Sequence, residues 1–193
     1  MSSIHIKVHS AEGLRDVENF GKNDPYLQVS LDFEKKNSFK KTSVKKNAGK
    51  NPEWNEEIIL NDYEPNEHHY LYVEILDQEK LADAVIGYGA IPLRQVISAG
   101  GSYRGKFEVY DDESKPHGAV SLTISILSAG QQAPASSGPE VQGETQIVNE
   151  HKDRIKLLEN KEDASDAAVA AAIFGAGFAY LKSGGKKEVK KEN

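Results

Sequence analysis

Apolar and polar residues alternate in short runs between Ile4 and Leu127, and this period of two constrains the fold more than anything else in the chain. Ile4, Ile6 and Val8 alternate with His5, Lys7 and His9, the pattern of a half-buried strand. Leu27, Val29 and Leu31 alternate with Tyr26, Gln28, Ser30 and Asp32 in the next. Further strands are predicted at 39–46, 55–60, 70–76, 87–92, 105–110 and 119–127, with Tyr70–Leu76 and Val120–Ile126 the clearest. One helical turn is expected within 93–103, ended by Gly100-Gly101. The predicted fold class is all-β, an eight-stranded antiparallel β-sandwich over residues 1–127, followed by a flexible linker and a helical tail.

A hydrophobic content of 38% with 28% charged residues is low for a chain packed along its whole length, so part of it is expected to lie outside a core. Residues 128–144, rich in Ser, Ala, Gly, Gln and Pro, read as the flexible linker. Ile147, Val148, His151, Ile155 and Leu158 then recur at three- and four-residue spacing, which opens a helical tail over 145–182. Asp163-Ala164-Ser165-Asp166 supplies a helix cap ahead of Ala167–Leu181, fifteen residues without a charge. As a helix that run would be about 22 Å long, short of a hydrocarbon core of about 30 Å. Packing on a partner protein, lying in the membrane interface and spanning the membrane all remain open for it. The tail is expected to be separate from the sandwich, and the lysine-rich end 183–193 to be disordered.

Several function classes are disfavoured. A formal net charge of −6 argues against a nucleic-acid binder. With no cysteine, thiol catalysis, thiolate metal sites and thioether or thioester lipid anchors are excluded. The start Met1-Ser2-Ser3-Ile4-His5 has neither the basic flank nor the apolar stretch of a secretory signal, so a cytoplasmic location is expected. Gly100–Lys106 has the outline of a phosphate loop, but Phe107 stands where the hydroxyl residue is needed and a strand follows. No Gly-x-Ser-x-Gly elbow or His-Glu-x-x-His helix is present, and an enzyme is not expected.

Three ordered motifs sit where strands meet loops: Gly21-Lys22-Asn23-Asp24-Pro25-Tyr26, then Asn51-Pro52-Glu53-Trp54-Asn55-Glu56, then Ile75-Leu76-Asp77-Gln78-Glu79 leading to Ile86-Gly87. Together they resemble the C2 domain, the calcium- and phospholipid-binding β-sandwich of conventional protein kinases C and synaptotagmins, in its type II strand order. The resemblance covers about two-thirds of the chain and implies that Trp54 packs inside the sandwich. It also implies a Ca²⁺ site of Glu18, Asp24, Asp77, Glu79 and Asp83 at one end. Asp24 and Asp77 match the family positions well. Glu18 and Glu79 stand where the family has Asp, Ala84 occupies the position of the last acid with Asp83 displaced by one, and the third loop is a residue short. Ca²⁺ takes six to eight oxygens, so weak binding is expected, at about 10⁻⁵ M or poorer. Solvated loop charges, with Asp24 capping backbone amides beside Pro25, would read the same way.

Between Lys35 and Lys50 there are seven lysines and no acid, in a domain that elsewhere favours acids. The resemblance implies that Lys35, Lys36, Lys40, Lys41, Lys45 and Lys46 meet anionic headgroups. Alternation places Thr42 and Val44 on one face and Lys41, Ser43 and Lys45 on the other. An edge strand bearing lysine to discourage aggregation would look similar. Phe20 and Leu81 lie near family positions that insert into the bilayer. The expected function is a cytoplasmic, peripheral membrane-targeting module for anionic phospholipid, assisted by Ca²⁺. A calcium-independent protein-interaction adaptor is the alternative, and the helical tail is a further candidate surface for a protein partner.

Overall fold

The computed structural model describes residues 2–18, 20–35, 37–79, 82–133 and 138–159. Eight strands carry the sandwich: β1 (Ser2–Glu12), β2 (Pro25–Ser30), β3 (Lys40–Lys41), β4 (Glu53–Tyr63), β5 (Tyr70–Asp77), β6 (Ala84–Pro92), β7 (Ser102–Tyr110) and β8 (Pro116–Ser128). They run in the spatial order β3-β2-β5-β6-β7-β8-β1-β4 with antiparallel pairing throughout. The eight-stranded antiparallel sandwich expected from alternation is therefore present. The helical turn is also present, as α1 (Arg94–Ser98), which Gly100 and Gly101 follow at positive φ.

Alternation determines the core. Ile4, Ile6 and Val8 of β1 are fully buried and meet Leu27, Val29, Leu71, Val73 and Ile75 from the facing strands. Trp54 lies in the same cluster. Burying each large apolar side chain contributes about 1.5–3 kcal/mol, so the two interior faces dominate the stability of the sandwich.

Strand β3 is much shorter than the predicted 39–46. Only Lys40 and Lys41 pair, with Val29 and Gln28. Beyond them the Ser43 N–H and hydroxyl donate to Glu56 of β4, and Lys45 reaches the same carboxylate at 3.1 Å. Lys40 Nζ donates to the Ile59 carbonyl at 2.5 Å. These contacts draw the chain across to β4 and stop the ladder. The predicted alternation ends there too: Lys41 lies over the Tyr26 ring on the outer face, whereas Ser43 and Lys45 turn to β4.

The segment after β8 departs furthest from expectation. Between β6 and β7 the described ladder has one pair, Tyr88 with Tyr110. Beyond it, residues 141–146 fill the seam. Strand β9 (Val141–Gln142) runs parallel to β7, and the Gly143 N–H donates to the Lys106 carbonyl. Gln146 exchanges both backbone hydrogen bonds with Ala90 of β6, at 2.9 and 2.8 Å. Helix α2 (Asn149–Glu159) then packs across the outer face of the β2-β5-β6 sheet, where Ile155 and Leu158 join Tyr26, Leu76, Val85 and Tyr88 in a second core. Part of the expected linker and the first turns of the expected tail are thus built into the domain. The reason is chemical: an unpaired strand edge and an exposed apolar face are both covered by this segment. Ala167–Leu181 and the end 183–193 lie outside the described residues.

Candidate cation and membrane-docking site

Loops 13–24, 42–52 and 77–84 gather at one end of the sandwich, stitched together by backbone hydrogen bonds around Asp24. The Gln78 N–H donates to the Asp24 carbonyl, Gly49 N–H to the Asn23 carbonyl and Lys45 N–H to the Pro25 carbonyl. Fully buried Asn23 braces the first loop, accepting from the Val17 N–H at 3.1 Å and donating to the Arg15 carbonyl at 2.7 Å.

Asp77 is the centre of the site. It ends β5 opposite Pro25 and is wholly buried. Its Oδ1 accepts the Asp24 N–H at 2.5 Å, while Oδ2 has no hydrogen-bond partner among the described residues. Burial raises the Asp77 pKa to about 6, and the nearby charges of Glu18, Glu79 and Asp24 push the same way. Glu18, Asp77 and Glu79 bring carboxylate oxygens within 4.8 Å of one another. A buried carboxylate with an unpaired oxygen beside two further carboxylates is costly on its own, and a hard divalent cation relieves that cost. The donor set therefore fits Ca²⁺, with backbone carbonyls and water needed to complete its shell.

The other two predicted ligands are turned elsewhere. Asp24 accepts from the Asn47 N–H at 2.6 Å through Oδ1 and from Lys46 Nζ at 3.0 Å through Oδ2. The Asn47 amide first, and then Lys46, hold its pKa low against the opposing effect of burial. Asp83 accepts the Tyr26 hydroxyl at 2.7 Å and the Glu79 N–H at 3.0 Å. Three of the five acids converge, and two organise the loops around them. Nothing in the acidic pattern alone pointed to Lys46 or Gln78; the lysine run was the one available signal.

Phe20 projects from the first loop almost completely exposed, at 94%. Leu81 and Lys36 lie outside the described residues. Each of the remaining nominated lysines has its own partner. Lys35 pairs with Asp32, Lys40 with the Ile59 carbonyl, Lys41 with the Tyr26 ring, Lys45 with Glu56 and Lys46 with Asp24. Only Lys40 and Lys41 belong to β3, and Lys35, Lys45 and Lys46 are paired with acids.

Behind that edge α2 introduces a buried ionic cluster absent from the predicted site. Glu74 accepts from Arg154 Nε at 2.9 Å and lies 3.0 Å from His151 Nε2, with all three side chains essentially buried. The His151 ring packs among Phe33, Tyr72 and Tyr88, and the Arg154 guanidinium lies over Phe39. No described helix is long and apolar enough to cross a membrane.

The family model of the C2 domain matches residues 2–109. Synaptotagmin-1 of Arabidopsis thaliana is 29% identical over 70% of this chain and 29% of its own length. Protein SRC2 of Glycine max is 28% identical over 69% of this chain and 48% of its own length. The chain thus spans less than half of either relative. Among solved structures, a C2 domain of plant Extended Synaptotagmin 1 superposes with a TM-score of 0.55 at 26% identity, over 65% of this chain and 93% of that one. A C2 domain-containing protein from a putative elicitor-responsive gene gives 0.52 at 26% identity, over 70% and 93%.

Proposed function

This chain belongs to the C2 domain family, and from that premise we propose that it docks on anionic phospholipid membranes as a peripheral, cation-assisted targeting module. The observation that carries the reading is the convergence of Glu18, Asp77 and Glu79 around a buried carboxylate oxygen, in the same loop cluster that presents Phe20. A Ca²⁺ ion there neutralises the loop end, so that it can approach a negatively charged leaflet. Inserting Phe20 would add about 1.5–3 kcal/mol. The lysines of the 35–50 run add long-range attraction of up to about 1 kcal/mol each near the surface, less where the lysine is paired with an acid and reduced by salt. Binding without catalysis, in the cytoplasm, completes the reading.

Pelleting with vesicles of graded phosphatidylserine content tests it. Binding should rise with anionic lipid and with Ca²⁺, lose its Ca²⁺ increment in Asp77→Asn, and weaken in Phe20→Ser. Equal pelleting of wild type and Asp77→Asn at every Ca²⁺ concentration would leave the calcium-independent adaptor as the better reading. The Lys46 ammonium on Asp24 is the observation that favours that alternative.

A further inference from the structure

We propose that Lys46 is a tethered cation that withholds Asp24 from the site and thereby sets how strongly the loop cluster binds a divalent ion, an inference that rests on the cation-assisted reading above. Its ammonium lies 3.0 Å from Asp24 Oδ2 and 2.8 Å from Gln78 Oε1, clasping one acceptor from each of two acid-bearing loops. The second oxygen of Asp24 is engaged by the Asn47 N–H. Asp24 is nevertheless coupled to the converging acids, because its own N–H donates to Asp77 Oδ1. Asp77 is fully buried, with Oδ2 lacking a partner among the described residues, so an uncompensated acceptor adjoins a carboxylate whose charge is already neutralised.

The physical consequence is a competition. A divalent ion at Glu18, Asp77 and Glu79 gains the charge of Asp24 only if the ammonium leaves. Until then it also feels the repulsion of the Lys46 charge held on Asp24, whose N–H donates to Asp77. Lys46 is 60% exposed and flexible, so its release to solvent or to an anionic headgroup is sterically open. Lys45 supplies an internal control. It carries the same charge one residue earlier but turns away to Glu56 at 3.1 Å.

The test is isothermal titration of the full chain with CaCl₂, comparing wild type, Lys46→Gln, Lys46→Arg and Lys45→Gln. Lys46→Gln should bind about tenfold tighter than wild type or more, as expected for removing the cation that competes for Asp24. Lys46→Arg should stay close to wild type, and Lys45→Gln should tighten binding only by the small factor that any lost surface lysine produces. Heat that develops in Lys46→Gln but not in wild type would support the proposal most strongly. If wild type binds and Lys46→Gln binds no tighter than Lys45→Gln, the gating role is overturned while the cation-assisted reading stands. A flat titration for all four proteins would overturn both. Circular dichroism of each variant verifies the fold.

Discussion

Arg154 Nε donates to Glu74 Oε1 at 2.9 Å across a distance of 80 residues in sequence, with both side chains shut away from water. This contact fastens α2 to the middle of β5. Glu74 also accepts from Gln28 at 2.6 Å, so the carboxylate is held from the sheet below and the helix above. Removing one partner of a buried pair leaves the other charge uncompensated. Arg154→Ala should therefore destabilise the protein by about 3–5 kcal/mol in urea unfolding. Replacing both Arg154 and Glu74 by apolar residues should cost less than the sum of the single changes, which a double-mutant cycle would reveal.

The same cluster predicts an acid limit. Burial alone would raise the Glu74 pKa, but Arg154 and then the His151 hydrogen bond override it and hold the group at about 2. The folded value lies below the ordinary one of 4.5. Its contribution is then fully present above pH 4.5 and is lost as pH falls towards 2. Thermal melts across this window should show a steep loss of stability in wild type and a shallower one in Glu74→Gln.

Truncation gives the clearest contrast with an unattached tail. Deleting residues 129–193 removes β9, the Gln146–Ala90 bridge and α2 together. Ile155 and Leu158 alone represent about 1.5–3 kcal/mol each, and Tyr88, Leu76 and Val85 would become exposed. The truncated domain should melt clearly lower than the full chain and bind a hydrophobic dye.

At the other side of the sandwich, Gly118 has φ of +85°, and a Cβ there would stand 2.4 Å from the Glu12 carbonyl oxygen. The obstacle is backbone in the adjacent strand, which cannot rotate aside. Gly118→Ala should cost more than about 1 kcal/mol, combining left-handed strain with this clash. Gly130→Ala, where a Cβ would meet nothing, should cost less. Paired urea titrations read the difference.

Alternation in β1, β2, β5 and β8 determined the fold class, because a period of two assigns each side chain to a face by local geometry alone. The helical turn before Gly100-Gly101 was legible for equally local reasons, whereas Trp54 as a core residue followed from the family resemblance. The acidic residues of the site were legible through the family resemblance, as oxygen donors where strands meet loops. Their directions were not. Asp24 turns to Lys46 and Asn47, and Asp83 to the Tyr26 hydroxyl, leaving Glu18, Asp77 and Glu79 to converge. Glu74 shows the difference most sharply. Its position in β5 marks it as an outward-facing acid, yet it is fully buried because α2 brings Arg154 and His151 over it. The sequence by itself determined which side of a strand each residue faces. Only the tertiary structure decided whether that side meets water, a helix or an opposite charge, since those partners come from segments far apart in the chain and are chosen by packing.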